Sequence, residues 1–268
     1  MKNTILFFAN TKKQAAGAML HAAMQTAREL GHRCLEIDYS TGIPKEIRDD
    51  VFFLVVIGGD GTILESVRLS AGYGIPILGV NMGTKGFLSE IAPEEFHTAL
   101  LRITKGDARV IERMMLGYRV GGGHESVCLN EVLLTRNPDY GSGTAQIDIT
   151  IDGVEAGVVF CDGVIVCTPT GATGYSISAG GPIVADGLDV CVITPICAHS
   201  LTAKPIVAAA GAHIRLTLLT KGRLYADGQS IASMQSGDTV EISASTAKTK
   251  FIELKERNVF RLIKEKLR

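Results

Sequence analysis

One aspartate of this 268-residue chain lies within a run of glycines. The stretch VVIGGDGTILES (55–66) places Asp60 between Gly58, Gly59 and Gly61, after an apolar run and before a helix-like segment. Backbone N–H groups at such a turn attract phosphate, and a carboxylate beside phosphate is repulsive unless it handles a proton or a metal. These residue types favour phosphoryl transfer, with Asp60 orienting an attacking hydroxyl and the glycines admitting the phosphates. The alternative is a tight turn in which Asp60 only caps the following helix.

A second glycine loop, GVNMGTKGFLSE (79–90), follows the next apolar run of the chain. Loops that follow neighbouring parallel strands lie at the same edge of a sheet, so we expect this loop beside Asp60. Within it, Phe87 is a candidate to lie over a base or a sugar, and Lys85 is a candidate phosphate partner. A phenylalanine in the core and a solvated lysine are the alternatives.

Two polar residues interrupt an apolar run in the second half of the chain. Asn130 and Glu131 are consecutive within SVCLNEVLLT (126–135). A carboxylate inside a strand is unfavourable unless it is paired or faces a ligand. A glutamate that accepts hydrogen bonds from two vicinal ribose hydroxyls would meet this condition. Alternation toward a solvated sheet face is the other interpretation.

The longest polar pattern is CDGVIVCTPTGATGYSISAGGPIVADG (161–187), in which an acidic turn and an apolar run precede many threonines, serines and glycines. This composition suits a hydrogen-bonding groove for a flat, polar ligand. A flexible linker is disfavoured because Pro169 and Tyr175 occur inside the run. Two later polar loops contain His199 and Asp227, for which a turn or a structural hydrogen bond is expected. The sequence contains no Walker A, GxGxxG, HRD or DFG pattern.

Apolar runs and helix-like segments alternate in the first third of the chain. The predicted elements are strands at residues 4–10, 33–39, 51–57 and 75–81, and helices over residues 12–30, from about Thr62 and from Ala92. Strands that alternate with helices imply a parallel sheet. The sequence therefore predicts a Rossmann-like α/β domain over residues 1–105.

The rest of the chain is dominated by short β-type runs separated by turn signals. The runs are SVCLNEVLLT, AQIDITIDG, GVIVCTPT, LDVCVITPI, HIRLTLLT, DTVEISAS and KTKFIELK. They predict an all-β domain over residues 106–255, built as stacked sheets or a sandwich. Residues 256–268 are predicted to form a short C-terminal helix that packs back on the N-terminal domain.

Charge and hydropathy exclude several classes of function. The 27 basic and 28 acidic side chains offer no broad cationic face for nucleic acid or anionic lipid. The longest apolar run, VFFLVVI (51–57), is far shorter than the roughly 20 residues of a membrane helix, and no secretory signal opens the chain. We therefore expect a cytoplasmic protein with no nucleic acid and no membrane among its partners. The six cysteines show no zinc-ligand spacing and are expected to be buried free thiols.

Taken together, the motifs resemble those of the bacterial ATP-dependent NAD kinases. The matching segments are GGDGT (58–62), GVNMGTKGFL (79–88), Asn130-Glu131, DGVIVCTPTGATGYSISAGGPIV (162–184) and TPICAHSLTAKPIV (194–207), in that family's order and approximate spacing. The resemblance covers nearly the whole chain, including its VFRLIKEKL tail. GGDGT alone is not specific, because diacylglycerol and sphingoid lipid kinases carry similar loops and phosphofructokinases a related one. The TPTGxTxYSxSAGGPI run provides the specificity.

The resemblance implies transfer of the γ-phosphoryl group of ATP to the 2′-hydroxyl of the adenosine ribose of NAD, with Asp60 as the base or orienting acceptor. The implied NAD-binding residues are Gly61, Phe87, Asn130, Glu131, Asp162, Thr173, Gly174, Tyr175 and Ser178. Among them, Asp162 is assigned to the nicotinamide end, and Thr173, Tyr175 and Ser178 to the adenosine pocket. The implied contacts to phosphate and ATP are Gly58, Gly59, Gly61, Thr62 and Lys85.

The resemblance also implies a cofactor and an assembly. A divalent cation, magnesium or manganese, accompanies ATP, and no protein ligand is assigned to it. Similar proteins are homo-oligomers, dimers or tetramers, in which Asp162 reaches the dinucleotide of the adjacent subunit.

Three residues depart from the family pattern. Gly174 replaces an alanine, and the glycine makes the loop less stiff. Phe160 stands where an arginine is expected, and Lys85 replaces an apolar residue. Two other functions stay open at the level of sequence. One is a lipid kinase of the diacylglycerol or sphingoid type that shares the GGDGT loop, and the other is a non-catalytic NAD(P)-binding sensor.

Overall fold

The computed structural model describes residues 2–11, 13–38, 42–83, 86–137, 143–255 and 264. The chain forms two compact units. Unit 1 contains the residues up to Arg113 and the described residues from Lys248 onward, and unit 2 is Met114–Ala247. The boundary predicted after residue 105 lies before the strand Arg109–Val120, within which the units divide. The division falls inside strands because Arg109–Val120 and Thr239–Glu253 each run from one unit into the other.

Unit 1 alternates strands with helices. Its elements are β1 (Thr4–Ala9), α1 (Gln14–Glu29), β2 (Arg33–Glu36), β3 (Val51–Gly58), α2 (Asp60–Ser70), β4 (Pro76–Asn81) and α3 (Phe96–Thr104). Two 3₁₀ turns, Lys45–Asp50 and Pro93–Glu95, precede β3 and α3.

The sheet of unit 1 is parallel, in the order β2-β1-β3-β4. β3 is fully apolar (VFFLVVIG) because, as a central strand, it is covered on both faces. The apolar stripe Ala16, Leu20, Ala23 and Ala27 lies on one face of α1 and packs into the core formed with β1 and β3. The helix ends before Gly31, whose φ of 87° suits a glycine.

Unit 2 is built almost entirely of strands. Its elements, with the two strands that cross from unit 1, are β5 (Arg109–Val120), β6 (Ser126–Cys128), β7 (Glu131–Arg136), β8 (Ala145–Ile151), β9 (Val154–Cys161), β10 (Gly163–Cys167), α4 (Tyr175–Ser178), β11 (Val190–Ile196), β12 (Ile206–Ala209), β13 (Ile214–Leu218), β14 (Gly222–Ala226), β15 (Gln229–Met234) and β16 (Thr239–Glu253).

Two antiparallel sheets share the core of unit 2. One has the order β12-β11-β10-β7-β14-β15, and the other contains β16-β13-β8-β9 with the β5–β6 pair. Val132 and Val164 from the first sheet pack with Ile147 and Leu216 from the second. Near its end, β16 also pairs in parallel with β4 of unit 1, at Lys250 and Phe251. The α/β region and the β-rich region of stacked sheets confirm the predicted fold class.

The structure corrects several predicted elements. SVCLNEVLLT forms two strands, β6 and β7, because the chain turns at Leu129 and Asn130. The backbone N–H groups of these two residues donate to the carboxylate of Asp227 and not to a neighbouring strand. DTVEISAS and KTKFIELK form the single strand β16, since no glycine or proline separates them. α2 begins at Asp60, two positions before the predicted Thr62.

The predicted C-terminal helix over residues 256–268 lies outside the described residues, Lys264 excepted. In the part of the chain that the structure describes, no helix has the length and apolar character needed to cross a membrane.

Candidate active site

Asp60 lies at the junction between β3 and α2. It is the first residue of α2, so its carboxylate sits at the positive end of the helix. Gly58 has no room for a side chain, because a Cβ there would overlap the buried Thr62. At Gly59 and Gly61, by contrast, a Cβ would meet no atom within 4 Å. The backbone around the carboxylate is therefore open to a ligand.

The second glycine loop of unit 1 holds the Asp60 carboxylate. The N–H of Phe87 donates to Oδ2 at 2.7 Å, and the N–H of Leu88 donates to Oδ1 at 3.1 Å. Gly86 must be a glycine, since a Cβ there would collide with the same carboxylate. The two loops meet because β3 and β4 pair in parallel, with Gly58 opposite a residue of β4.

These bonds fix the orientation of the Asp60 carboxylate and leave it able to accept further hydrogen bonds. A carboxylate has about four acceptor positions, and the two amides occupy one on each oxygen. A substrate hydroxyl can therefore still donate to Asp60. The observed partners lie on another strand's loop, so the carboxylate does more than cap α2.

A buried aspartate organises the Asn130–Glu131 turn of unit 2. Oδ2 of Asp227 accepts the N–H of Leu129 at 2.9 Å, and Oδ1 accepts those of Asn130 at 2.7 Å and Glu131 at 3.4 Å. On the other side of the turn, Thr168 donates its hydroxyl to the carbonyl of Leu129 at 2.7 Å. The amide oxygen of Asn130 is buried and has no hydrogen-bond partner among the described residues.

Glu131 is a buried carboxyl group, with 8% of its surface exposed. Burial, and then the negative charge of Asp227, raise the pKa of Glu131 to about 7. It lines a cleft of unit 2 together with Arg136, Asp162 and Tyr175. The cleft thus contains an acceptor that is poised between its neutral and ionised forms near neutral pH.

The TPTGATGYS segment packs against the Asn130–Glu131 turn. A Cβ at Gly171 would overlap the backbone of Asn130, so only glycine allows this approach. A Cβ at Gly174 would lie 3.5 Å from Oε2 of Glu131 and 3.7 Å from Nδ2 of Asn130. The glycine that departs from the family pattern therefore faces both polar side chains.

The remaining predicted residues of unit 2 lie near this segment. Thr173 donates its hydroxyl to the carbonyl of Thr170 at 3.1 Å, while Tyr175 and Ser178 begin and end the short helix α4. Tyr175 is exposed at the rim of the cleft. Asp162 accepts from Nε of Arg136 at 3.0 Å.

Every predicted site residue except Lys85 lies in the described part of one of the two units. Unit 1 contains Asp60, Gly58, Gly59, Gly61, Thr62 and Phe87, and there the amide of Phe87 contacts Asp60 and Thr62 lies against Gly58. Unit 2 contains Asn130, Glu131, Asp162, Thr173, Gly174, Tyr175 and Ser178, of which Glu131, Asp162 and Tyr175 line one cleft. Phe160, on β9, is 48% exposed. Lys85 lies outside the described residues.

Three polar contributors were not predicted as site residues. Asp227 and Thr168 hold the Asn130–Glu131 turn, and Asn81, at the end of β4, has a buried amide oxygen without a hydrogen-bond partner in the described ranges. The partners of Asp227 and Thr168 lie far away in sequence, so local pattern carries little signal for these two residues. The Asp-Gly pair at Asp227 predicts a turn, but the sequence does not indicate that this carboxylate binds the backbone at Leu129–Glu131.

The donor set for a metal ion is sparse. Within the described ranges, no three His, Cys, Asp or Glu side chains group in a way that could hold a cation. A magnesium ion held by only one or two carboxylates takes its other ligands from substrate phosphates and water.

A parallel-sheet unit with a glycine-enclosed carboxylate, joined to a unit of stacked sheets with a polar cleft, defines a two-domain kinase. The model of the ATP-NAD kinase N-terminal domain matches residues 4–108, and that of the ATP-NAD kinase C-terminal domain matches residues 129–254. The chain belongs to the ATP-NAD kinase family.

Curated relatives agree with this assignment. The NAD kinase of Heliobacterium modesticaldum is 35% identical over 267 residues, covering 91% of this chain and 94% of the relative. The NAD kinase of Geobacter sulfurreducens is 36% identical over 260 residues, covering 95% of this chain and 89% of the relative. This family membership makes the chain an NAD kinase and favours that function over a lipid kinase or a non-catalytic sensor.

Solved structures share the fold. An NAD kinase from Archaeoglobus fulgidus in complex with ATP has a TM-score of 0.82 and 25% identity, with 98% of each chain covered. Yeast NADH kinase complexed with NADH has a TM-score of 0.84 and 23% identity, covering 99% of this chain and 87% of that one. The latter similarity concerns the fold alone.

Proposed function

We propose that this NAD kinase transfers the γ-phosphoryl group of ATP to the 2′-hydroxyl of the adenosine ribose of NAD, with Asp60 as the catalytic base. The observation that carries the proposal is the Asp60 carboxylate, which accepts the N–H groups of Phe87 and Leu88 and is flanked by the open glycines Gly59 and Gly61. In the reaction, a bond forms between the 2′-oxygen and the γ-phosphorus, and the bond from that phosphorus to the β–γ bridging oxygen breaks. ADP leaves, and the hydroxyl proton passes to Asp60.

The glycine loops suit the phosphates of the donor. The backbone at Gly59 and Gly61 is uncovered at the N-terminus of α2, where N–H groups and the helix dipole favour anions. Gly58 and Thr62 pack together and fix the course of the loop. Lys85 is proposed as a further phosphate partner.

A divalent cation, magnesium or manganese, enters the proposal as part of the substrate, bound to ATP. The described residues offer it no cage, in keeping with magnesium sites in which phosphates and waters supply most ligands. Such an ion spreads the negative charge of the triphosphate during transfer.

The cleft of unit 2 is proposed as the dinucleotide site. The amide oxygen of Asn130 has no hydrogen-bond partner among the described residues, and the buried carboxyl group of Glu131 lines the cleft. Ribose hydroxyls and the adenine amino group could donate to both acceptors. Thr173, Gly174, Tyr175 and Ser178 are proposed to contact the adenosine, Asp162 the nicotinamide end, and Phe87 to lie over a ring. A homodimer or homotetramer in the cytoplasm is the proposed setting.

The test is the rate of NADP formation by the wild type and by Asp60→Asn, which keeps the shape of the side chain and removes the base. We expect kcat to fall by at least ~10²-fold, the lower range for positioned acid–base catalysis, with little change in NAD affinity. Glu65→Gln, on the same helix α2, is the control and should keep its rate.

Two results would contradict the proposal. A wild-type protein that binds NAD but forms no NADP with ATP and magnesium is a sensor instead of an enzyme. Near-normal turnover in Asp60→Asn would reduce Asp60 to a structural residue.

A further inference from the structure

Asp227 is a deeply buried carboxylate to which the proposed reaction gives no role. It is 6% exposed and lies in the Asp-Gly turn between β14 and β15, with a positive φ of 46°. A carboxylate in such a place is strongly unfavourable unless hydrogen bonds compensate its charge. Its surroundings therefore indicate what it stabilises.

Three hydrogen bonds to the Asp227 carboxylate come from the turn between β6 and β7. Three consecutive amides, those of Leu129, Asn130 and Glu131, point at its two carboxylate oxygens. The backbone N–H of Asp227 in turn donates to the carbonyl of Glu131 at 3.0 Å. The two segments, about a hundred residues apart, thus form a reciprocal clamp.

We propose that Asp227 is a positioning residue of the dinucleotide site, whose carboxylate clamps the Leu129–Glu131 turn and so presents the side chains of Asn130 and Glu131 to the ligand. The inference rests on the proposed function, which places NAD in this cleft. Without the clamp, the amides of the turn would lose their acceptor at the point where β6 ends and β7 begins. The unpartnered amide oxygen of Asn130 is then held where only a ligand or water can satisfy it.

The charge of Asp227 adds an electrostatic effect. After burial, it is the group that raises the pKa of Glu131, so removing the charge lowers that pKa while burial keeps it above the ordinary value. Cys167, opposite Glu131 on β10, is neutral, because burial raises the pKa of its thiol to about 12.

The other titratable groups that line the cleft are Arg136, which is paired with Asp162, and Tyr175, Tyr225 and Cys197. Burial is the larger cause of the raised pKa of Glu131, and Asp227 is the charged group that adds to it.

The experiment compares Asp227→Asn with a matched control, Asp152→Asn. Asp152 also lies in an Asp-Gly turn with a positive φ, 51°, and its carboxylate accepts one backbone N–H, from His213 at 2.8 Å. It contributes nothing to the turn at Leu129–Glu131. Both substitutions keep size and tolerate the left-handed conformation.

The measurements are initial rates against NAD and against ATP, and calorimetric titration with NAD at pH values on either side of about 7. For Asp227→Asn we expect KM and Kd for NAD to rise about tenfold or more, because at least one charge-assisted bond is lost, while KM for ATP changes less. The pH midpoint of NAD binding should move to lower pH. Asp152→Asn should leave all three quantities near wild type.

Several outcomes would overturn the inference. In the first, Asp227→Asn leaves both the affinity for NAD and the pH midpoint of NAD binding unchanged. In the second, Asp227→Asn raises KM for NAD and KM for ATP equally and leaves the pH midpoint of NAD binding unchanged. If Asp227→Asn does not fold, Asp227→Ser, which keeps one short acceptor oxygen, is measured in the same way. Failure of both to fold, with Asp152→Asn folded, would make Asp227 a folding residue only. A wild type that forms no NADP refutes the proposed function instead, and the two failures are thereby distinguished.

Discussion

Glu131 shows how a single residue can trade stability for binding. The fold buries its carboxyl group beside a second carboxylate, and both the loss of water and the neighbouring charge oppose ionisation. A protein selected for stability alone would place an apolar side chain there. The residue makes sense if a ligand with hydroxyl donors completes its hydrogen bonds, which is the condition that the sequence pattern already indicated.

The buried carboxyl group predicts a pH-dependent stability. Because the folded-state pKa of about 7 lies above the ordinary 4.5, the folded chain holds more protons than the unfolded chain between these values. The contribution of Glu131 is therefore fully present below about pH 4.5 and is lost as the pH rises through about 7, a change of about 3 kcal/mol. Glu131→Gln has no such proton to lose. Its free energy of unfolding relative to wild type should rise by about that amount between pH 5 and pH 8 (both approximate), measured by urea titration.

The control for this prediction is Glu36→Gln, a substitution at an exposed carboxylate of β2 in unit 1. Its stability relative to wild type should not change with pH. A pH-independent difference between Glu131→Gln and wild type would contradict the raised pKa of Glu131.

At the scale of elements, two strand ends hold the Asp60 carboxylate. β3 and β4 run in parallel and in register, so the loops that follow them meet, and the amides of the second loop orient the carboxylate of the first. The contact leaves no space at Gly86, where a Cβ would enter the volume of Asp60. The orientation of the Asp60 carboxylate thus depends on a glycine in a different loop.

This dependence predicts a selective effect of Gly86→Ala. The added methyl group must displace the Asp60 carboxylate, and we expect kcat to fall by at least ~10-fold, because small misplacements of reacting groups are expensive. Gly83→Ala, in the same loop, is the matched control, since its Cβ would meet no atom within 4 Å. Steady-state kinetics of both variants test the prediction. Equal losses in the two would show that the loop, and not the contact with Asp60, is sensitive.

Sequence patterns predicted the elements whose cause is local. The apolar run of β3, the glycine loop at Asp60 and the capped 3₁₀ turn before α3 each depend on consecutive residues, and so they could be identified. β9 was missed because nearly all its side chains are exposed, which removes the alternation that marks a half-buried strand. The clamp at Asp227 was missed because its partners lie about a hundred residues away, and composition does not encode such a pairing.

At the scale of the whole molecule, unit 2 has sheet edges with apolar side chains. β9 ends one sheet and exposes Val154, Val158 and Phe160, and β12 ends the other and exposes Val207. Exposed edge strands of this kind invite pairing with another chain unless they are covered. A second copy of the chain is the proposed cover. Asp162 directly follows β9 in the chain, at the start of the turn into β10.

A shared site would allow two inactive variants to complement each other. Asp60→Asn and Asp162→Ala should each be inactive, but in a mixed dimer one site combines Asp60 from one chain with Asp162 from its partner. Unfolding and refolding the two variants together should restore about a quarter of the sites if the chains assort at random into symmetric dimers. Recovered activity well above that of either variant alone, with each variant refolded separately as the control, is the expected result. A monomer by light scattering would sink the idea, and so would a mixture no more active than its parts when Asp162→Ala alone is inactive.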